Sequence, residues 1–213
     1  MDLQIAEYIR FLTLAIVPFM LAITVHEYAH GLSAYMLGDD TAKRAGRLTL
    51  NPLSHIDPLG ILFLVVTRLF GWAKPVPVNF GKLHKNRKYG PAIVAFAGPF
   101  SNLILAVISA LAIHSLSGVQ VVEGSTAYKI LLPIAGMLSL SVRINVALFI
   151  FNLLPIPPLD GGRIVTSLLP YKQAVAFASI ERYGFIILIV LFLTNIIDVI
   201  IFPVMNIILK ILL

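Results

Sequence analysis

Cysteine is absent from the 213 residues, so no disulfide staples the chain and no thiolate can ligate a metal; any metal must be held by His, Asp or Glu. Charge is scarce as well. Only 12% of residues are Asp, Glu, Lys or Arg, about half the share in an ordinary soluble domain, whereas 59% are hydrophobic and mean hydropathy is +0.94. That balance excludes a soluble globular domain and indicates a polytopic membrane protein. The start of the chain, Met1-Asp2-Leu3-Gln4, lacks a basic region, and no small-residue cleavage site follows the first apolar run, which is therefore read as a retained span rather than a signal peptide. The formal charge is +6, with the positive residues grouped between apolar segments. In a membrane chain such grouping reports topology and contact with anionic lipid, and no nucleic-acid partner is expected.

Six apolar segments are present, at 8–37, 58–71, 90–115, 128–153, 180–195 and 196–213. The second has at most about fourteen residues and contains Arg68, which is short for a perpendicular span and suits a membrane-embedded or re-entrant piece. The last two form one apolar stretch interrupted by Asn195, Asp198 and Pro203, either two short helices or one kinked helix. Lys43, Arg44 and Arg47 follow the first segment; Lys74, Lys82, Lys85, Arg87 and Lys88 follow the second. With both clusters cytoplasmic the second segment does not cross, and the third runs outward to a loop, 116–127, that carries Glu123 and no Lys or Arg. The fourth returns toward Arg163, Lys172 and Arg182. The expected fold class is an all-α polytopic membrane protein with about six membrane-embedded helical segments and short edge strands between the first and third, in a single domain spanning 1–213.

Within the first segment stands His26-Glu27-Tyr28-Ala29-His30, the HExxH pattern of zinc hydrolases. On a helix His26 and His30 lie one turn apart on one face, where both can ligate Zn²⁺, and Glu27 can act on a metal-activated water. From Phe11 to Leu37 these three are the only ionisable residues besides two tyrosines. Unpaired charge at membrane depth costs roughly 2.5 kcal/mol or more per group, so the cluster is a functional-site candidate. His26 is twelve residues before Gly38, about 18 Å along a helix, which sets the site below the membrane surface but not at the far leaflet.

Two histidines leave a catalytic zinc one protein ligand short. The candidates for a third are His55, Asp57, His114, Asp160, Glu181 and Asp198. Asp160 follows the fourth segment in Pro155-Ile156-Pro157-Pro158-Leu159-Asp160-Gly161-Gly162, where prolines break the helix and glycines permit a tight turn behind the carboxylate. Two readings fit it equally: a metal ligand, or a turn aspartate capping the next helix. Asn152, eight residues earlier, can donate to a developing oxyanion or can bond between helices. Arg47 to Pro52 and Pro75 to Phe80 alternate like short strands, which prolines confine to sheet edges. Such an edge can hold an extended substrate by strand addition, through Val76, Val78 and Asn79; an irregular loop fits the same residues.

Taken together, the motifs resemble those of the site-2 protease family of intramembrane zinc metalloproteases. The resemblance rests on His26 to His30 and on Asn152 to Gly161, with further similarity in Asn51 to Gly60, Gly71 to Asn79 and Ala97 to Asn102, over about two-thirds of the chain. It implies that His26, His30 and Asp160 ligate one Zn²⁺ per chain, that Glu27 is general base and later proton donor, and that Asn152 helps stabilise the transition state. It also implies a core of three transmembrane helices matching 8–37, 90–115 and 128–153. For the stretch 180–213 two readings stand, a gate or packing. Many members carry PDZ or CBS domains, and no segment here is long enough for either. His55 has no role in the carried-over pattern; ordering the loop, contacting substrate and approaching the metal are its three readings.

The expected function is therefore intramembrane zinc endoproteolysis in or near transmembrane segments of membrane-protein substrates, in the lipid bilayer of a prokaryotic plasma (inner) membrane. The rivals are a membrane metal-ion transporter, which explains intramembrane ligands but not a Glu in the HExxH order, and a catalytically inactive membrane scaffold. The residues do not define a natural substrate or an oligomeric state.

Overall fold

The computed structural model describes residues 2–67, 72–86 and 88–213. The chain order is α1 (Asp2–Met36), α2 (Thr41–Arg44), α3 (Pro58–Thr67), α4 (Gly90–Ser117), α5 (Thr126–Asn152), α6 (Asp160–Leu168), α7 (Tyr171–Ala178), α8 (Gly184–Leu193) and α9 (Ile196–Leu212), with short 3₁₀ turns at Pro52–His55, Phe80–Lys82 and Ser179–Tyr183. Arg68 and the end of the expected 58–71 segment, Gly71, and Arg87 of the second basic cluster lie outside the described residues.

Among the described residues, four stretches are long and apolar enough to cross a membrane: Ile5–Met36, Gly90–Ser117, Thr126–Asn152 and Tyr171–Leu193. The first three are the expected core segments. The fourth joins α7, a 3₁₀ turn and α8, so it begins before the expected 180. The 10 described residues of α3 rise about 15 Å, less than the thickness of a bilayer's hydrocarbon core. The apolar stretch at the C-terminus divides into two helices at Asn195, whose φ of 56° is left-handed and ends α8's register before α9 begins.

α4 packs along both α1 and α5, and these three helices form the centre of the molecule. Small side chains let α4 and α5 approach closely: Ala106 and Ala110 meet Val142, Val146 and Ile150, and Leu209 of α9 closes the cluster. Elsewhere the helices turn large apolar residues outward, among them Ile9, Ile16, Leu111, Ile186 and Val199, as lipid-facing surfaces do. Gly38, at φ 110°, ends α1; a Cβ there would also strike the His84 ring at 2.2 Å.

The expected edge strands do not form: among the described residues there is no strand. Residues 72–79 have no regular secondary structure and lie against α1: Pro75 and Pro77 have no N–H to give, the Val76 N–H goes to Glu27 Oε2 at 2.7 Å, and the Asn79 N–H goes to Asp39 Oδ2 at 2.6 Å. With the Val76 and Asn79 donors on side chains and the Lys74 N–H on the His55 carbonyl, the segment has little left for a ladder. Arg47, on the other expected strand, reaches across with its guanidinium to the carbonyls of Lys74 (2.8 Å) and Pro75 (3.3 Å) instead.

Candidate metal and catalytic centre

α1 carries His26 and His30 one turn apart, and both rings are buried against α4. Asp160 arrives from the other side. α5 stops at Asn152, the chain turns through Leu153 to Leu159 with a cis Pro157–Pro158 bond, and α6 begins at Asp160. The turn packs so closely under α6 that a Cβ on Gly161 would stand 2.3 Å from the carbonyl oxygens of Leu153 and Leu154, and one on Gly162 would stand 2.5 Å from Pro157 N. Only glycine fits there, and this close packing aims the Asp160 carboxylate back at α1. Asp160 does not cap the helix: Leu159 holds the cap position, without a side-chain bond, and Asp160 is the first helical residue. The capping alternative does not describe this placement.

Three atoms converge. His26 Nε2 and His30 Nε2 are 3.0 Å apart, and Asp160 Oδ2 lies 3.2 Å from the first and 3.3 Å from the second. Hydrogen bonding on the far side of each ring says what these atoms present. His30 Nδ1 lies 2.7 Å from the Val94 carbonyl, which can only accept, so Nδ1 carries the hydrogen. His26 Nδ1 lies 2.7 Å from Asn102 Oδ1, and Asn102 spends its amide hydrogens on Ala22 O (3.1 Å) and Asn145 Oδ1 (2.9 Å), so here too the imidazole Nδ1 donates. In the neutral rings both Nε2 atoms are bare lone pairs facing a carboxylate oxygen, an arrangement that a cation relieves.

The dimensions suit zinc. Arms of about 2.1 Å in a tetrahedron give ligand–ligand edges of about 3.4 Å, close to the observed 3.0, 3.2 and 3.3 Å. Space is provided by Gly98, where a Cβ would stand 2.3 Å from His30 Nε2 and 2.7 Å from His26 Nε2. His26, His30 and Asp160 are also the one trio of His, Asp or Glu groups among the described residues whose donor atoms come within 4.8 Å of one another.

A cavity of about 470 Å³ opens beside the trio. Glu27 lines it, one residue from His26, as do Asn152, Val76, Val78 and Arg163. Asn152 points one amide N–H at Leu148 O of its own helix, 3.0 Å away, and has a second to give. The outer wall is latched by aromatic contacts: Trp72 and Phe63 both meet Phe185 of α8, each with centroids 5.6 Å apart. A second cavity of about 650 Å³ shares Pro75, Val76, Val78, Phe80, Pro158 and Arg163 with the first, so the site continues beyond the metal trio.

Of the residues singled out from the sequence, His26, Glu27, His30, Asn152, Asp160, Val76 and Val78 come together. Asn79 and His55 do not. The Asn79 side chain accepts from Gly81 N and caps the turn after it. His55 is fully buried, its Nε2 bonded to Thr49 O at 2.9 Å and its carbonyl to Lys74 N, and it lines neither cavity. His114, Asp57, Glu181 and Asp198 are outside the trio as well. Sequence reasoning quoted Ala97 to Asn102 only as part of the resemblance and gave no role to α4's Val94 carbonyl, Gly98 or Asn102. The available signal was Asn102 itself, an amide inside an otherwise apolar span.

Comparison with known proteins agrees with this chemistry. A model of Peptidase family M50 matches residues 119–194, the part that holds Asn152 and Asp160. The chain is 39% identical over 194 residues to "Putative zinc metalloprotease YwhC" of Bacillus subtilis, covering 90% of this chain and 85% of that protein. It is 32% identical over 105 residues to "Putative zinc metalloprotease Rip2" of Mycolicibacterium smegmatis, covering 48% of this chain and 40% of that one. No solved structure matches the chain with significance.

Proposed function

Because the chain belongs to peptidase family M50, the site-2 protease family of zinc metalloproteases, we propose that it cleaves peptide bonds in or near the transmembrane segments of membrane proteins. The observation that carries this reading is the meeting of two imidazole lone pairs and the Asp160 carboxylate beside Glu27, at the base of a cavity enclosed by apolar helices. The protein is an integral membrane metalloprotease, and its bacterial relatives support a prokaryotic plasma membrane as its place.

In this reading His26, His30 and Asp160 hold one zinc ion per chain. Bound there, zinc supplies Lewis acidity, making a water acidic and a carbonyl electrophilic. Glu27 takes the proton from the attacking water and later delivers it to the leaving amine. Its Oε2 is held by the Val76 N–H, leaving Oε1 for the water. Asn152, with an amide hydrogen to spare at the cavity wall, donates to the oxygen on which negative charge develops. The transporter alternative gives no work to Glu27, and an inactive scaffold needs neither the base nor the ligands.

A helical substrate hides its amides in internal hydrogen bonds and must unwind before the carbonyl can be attacked. The irregular segment at Val76 and Val78 lines both cavities and supports the placement of an unwound peptide there. The experiment is cleavage of a model transmembrane peptide by the purified protein in lipid nanodiscs, with and without chelator. Chelator-sensitive cleavage that zinc restores supports the proposal; no cleavage of any membrane-spanning peptide by zinc-loaded protein contradicts it.

A further inference from the structure

The metal trio is on α1 and α6, yet the helix behind it, α4, touches the site at three positions spaced by four: the Val94 carbonyl on His30, the bare face of Gly98 against both rings, and Asn102 on His26. A spacing of four places all three on one face, antiparallel to the His26–His30 pair. The most informative of the three is Asn102, fully buried at the centre of the molecule.

We propose that Asn102 is a positioning residue for the metal centre, keeping the hydrogen of His26 on Nδ1 so that Nε2 always faces inward as a lone pair. The inference rests on the metal reading above and assigns a residue outside the ligand set. The amide is locked from behind. Asn145 gives its own amide hydrogens to Ser141 O (2.8 Å) and Ser141 Oγ (3.3 Å), which leaves its Oδ1 to accept from Asn102. Ser141 Oγ is bonded in turn to Ser109 Oγ at 2.8 Å. A flipped Asn102 amide would set its oxygen against Ala22 O and Asn145 Oδ1, acceptor against acceptor, and its hydrogens against the Nδ1–H of His26. From His26 through Asn102 and Asn145 to Ser141 the hydrogens therefore run in one self-consistent direction, and every member, with Ser109 beyond, is buried. Were Asn102 only glue between α4 and α5, its bond to Asn145 would suffice; instead its shortest bond goes to the ligand, at 2.7 Å.

Partners that orient a metal-ligating His typically change metal affinity about 10- to 100-fold when removed. The test is competition for Zn²⁺ between a chromophoric chelator and the full-length protein in detergent, with thermal unfolding of the metal-free protein measured alongside. Asn102→Leu is expected to bind zinc about 10- to 100-fold more weakly. Asn102→Asp, which keeps an acceptor for the Nδ1–H but loses the donors to Ala22 and Asn145, is expected to lose less than about 10-fold in affinity even where its unfolding temperature falls. Asn145→Ala, which frees the Asn102 amide to flip, is expected to fall between them. Affinity that follows unfolding temperature across the three variants, or zinc held normally by Asn102→Leu, overturns the inference. Should Asn102→Leu not fold, the other two decide: Asn102→Asp retaining zinc better than Asn145→Ala supports it, and the reverse order overturns it. Zinc bound equally by the unaltered protein and by His26→Ala removes the metal reading and this inference with it. Zinc lost in His26→Ala but kept in Asn102→Leu removes this inference alone.

Discussion

The main-chain N–H of Val76 donates to Glu27 Oε2 across 2.7 Å, tying the carboxylate beside the metal trio to a segment 49 residues away. The segment is itself anchored: Arg47 holds the Lys74 and Pro75 carbonyls, His55 O accepts from Lys74 N, and Asp39 accepts from Asn79 N. A loop that looks irregular by its prolines thus has one defined task at the site, supplying a donor that proline cannot.

The first expected outcome concerns that donor. Val76→Pro removes the N–H, while Val76→Ala keeps it. A hydrogen bond to a charged group contributes about 1.5–3 kcal/mol, so peptide hydrolysis is expected to fall about 10- to 100-fold in the proline variant with zinc content unchanged. Equal rates for the two variants in a cleavage assay would show that the bond does not position Glu27.

Gly98 gives the second. A Cβ there lands 2.3 Å from His30 Nε2 and 2.7 Å from His26 Nε2, whereas one on Gly118, at the end of the same helix, meets nothing within 4 Å. Gly98→Ala is expected to lower zinc affinity by about 100-fold or more, beyond the effect of losing an orienting partner, and Gly118→Ala to leave it unchanged. Metal analysis after dialysis against a buffered zinc solution checks both.

The third separates the charge of Asp160 from its shape. Asp160→Asn keeps the size and the packing over Gly161 but replaces an anionic ligand with a neutral amide. Zinc affinity is expected to drop by at least about 100-fold while the helical circular dichroism stays the same, since the turn beneath is built from backbone and glycine contacts. Normal zinc binding by the variant would return Asp160 to a structural role.

Substrate unwinding gives the fourth. A Gly in place of an Ala in a helix costs about 1 kcal/mol, so each such change near the scissile bond is expected to raise the cleavage rate roughly fivefold where unwinding precedes the chemistry. Rates that ignore helix content across a peptide series would mean that the substrate reaches the site already extended.

Much of this was legible because the chemistry is sparse. A Glu and two His inside an apolar span stand out by their cost, and Asp160 between three prolines and two glycines marks a broken helix where a ligand can enter. The three long spans follow directly from hydropathy, and the resemblance marks them as the core. The edge strands were misread for a physical reason: alternation in Pro75 to Phe80 reports side-chain direction but not where the N–H groups go, and here they go to Glu27 and Asp39. The break at Asn195 left two possibilities because an αL residue followed by a new helix and a bend at Pro203 produce the same hydropathy. The role of α4 was hidden because a backbone carbonyl and a glycine carry no chemical signature in sequence; only their distance to His26 and His30 does.

The central claim, that Glu27 works on a water at a zinc held by His26, His30 and Asp160, is tested most directly by measuring zinc content and transmembrane-peptide cleavage together in Glu27→Gln. Removing the carboxylate charge while keeping the side-chain size leaves all three ligands in place. The account expects one zinc per chain and cleavage reduced to background. Cleavage at the unaltered rate in the zinc-loaded variant would contradict it.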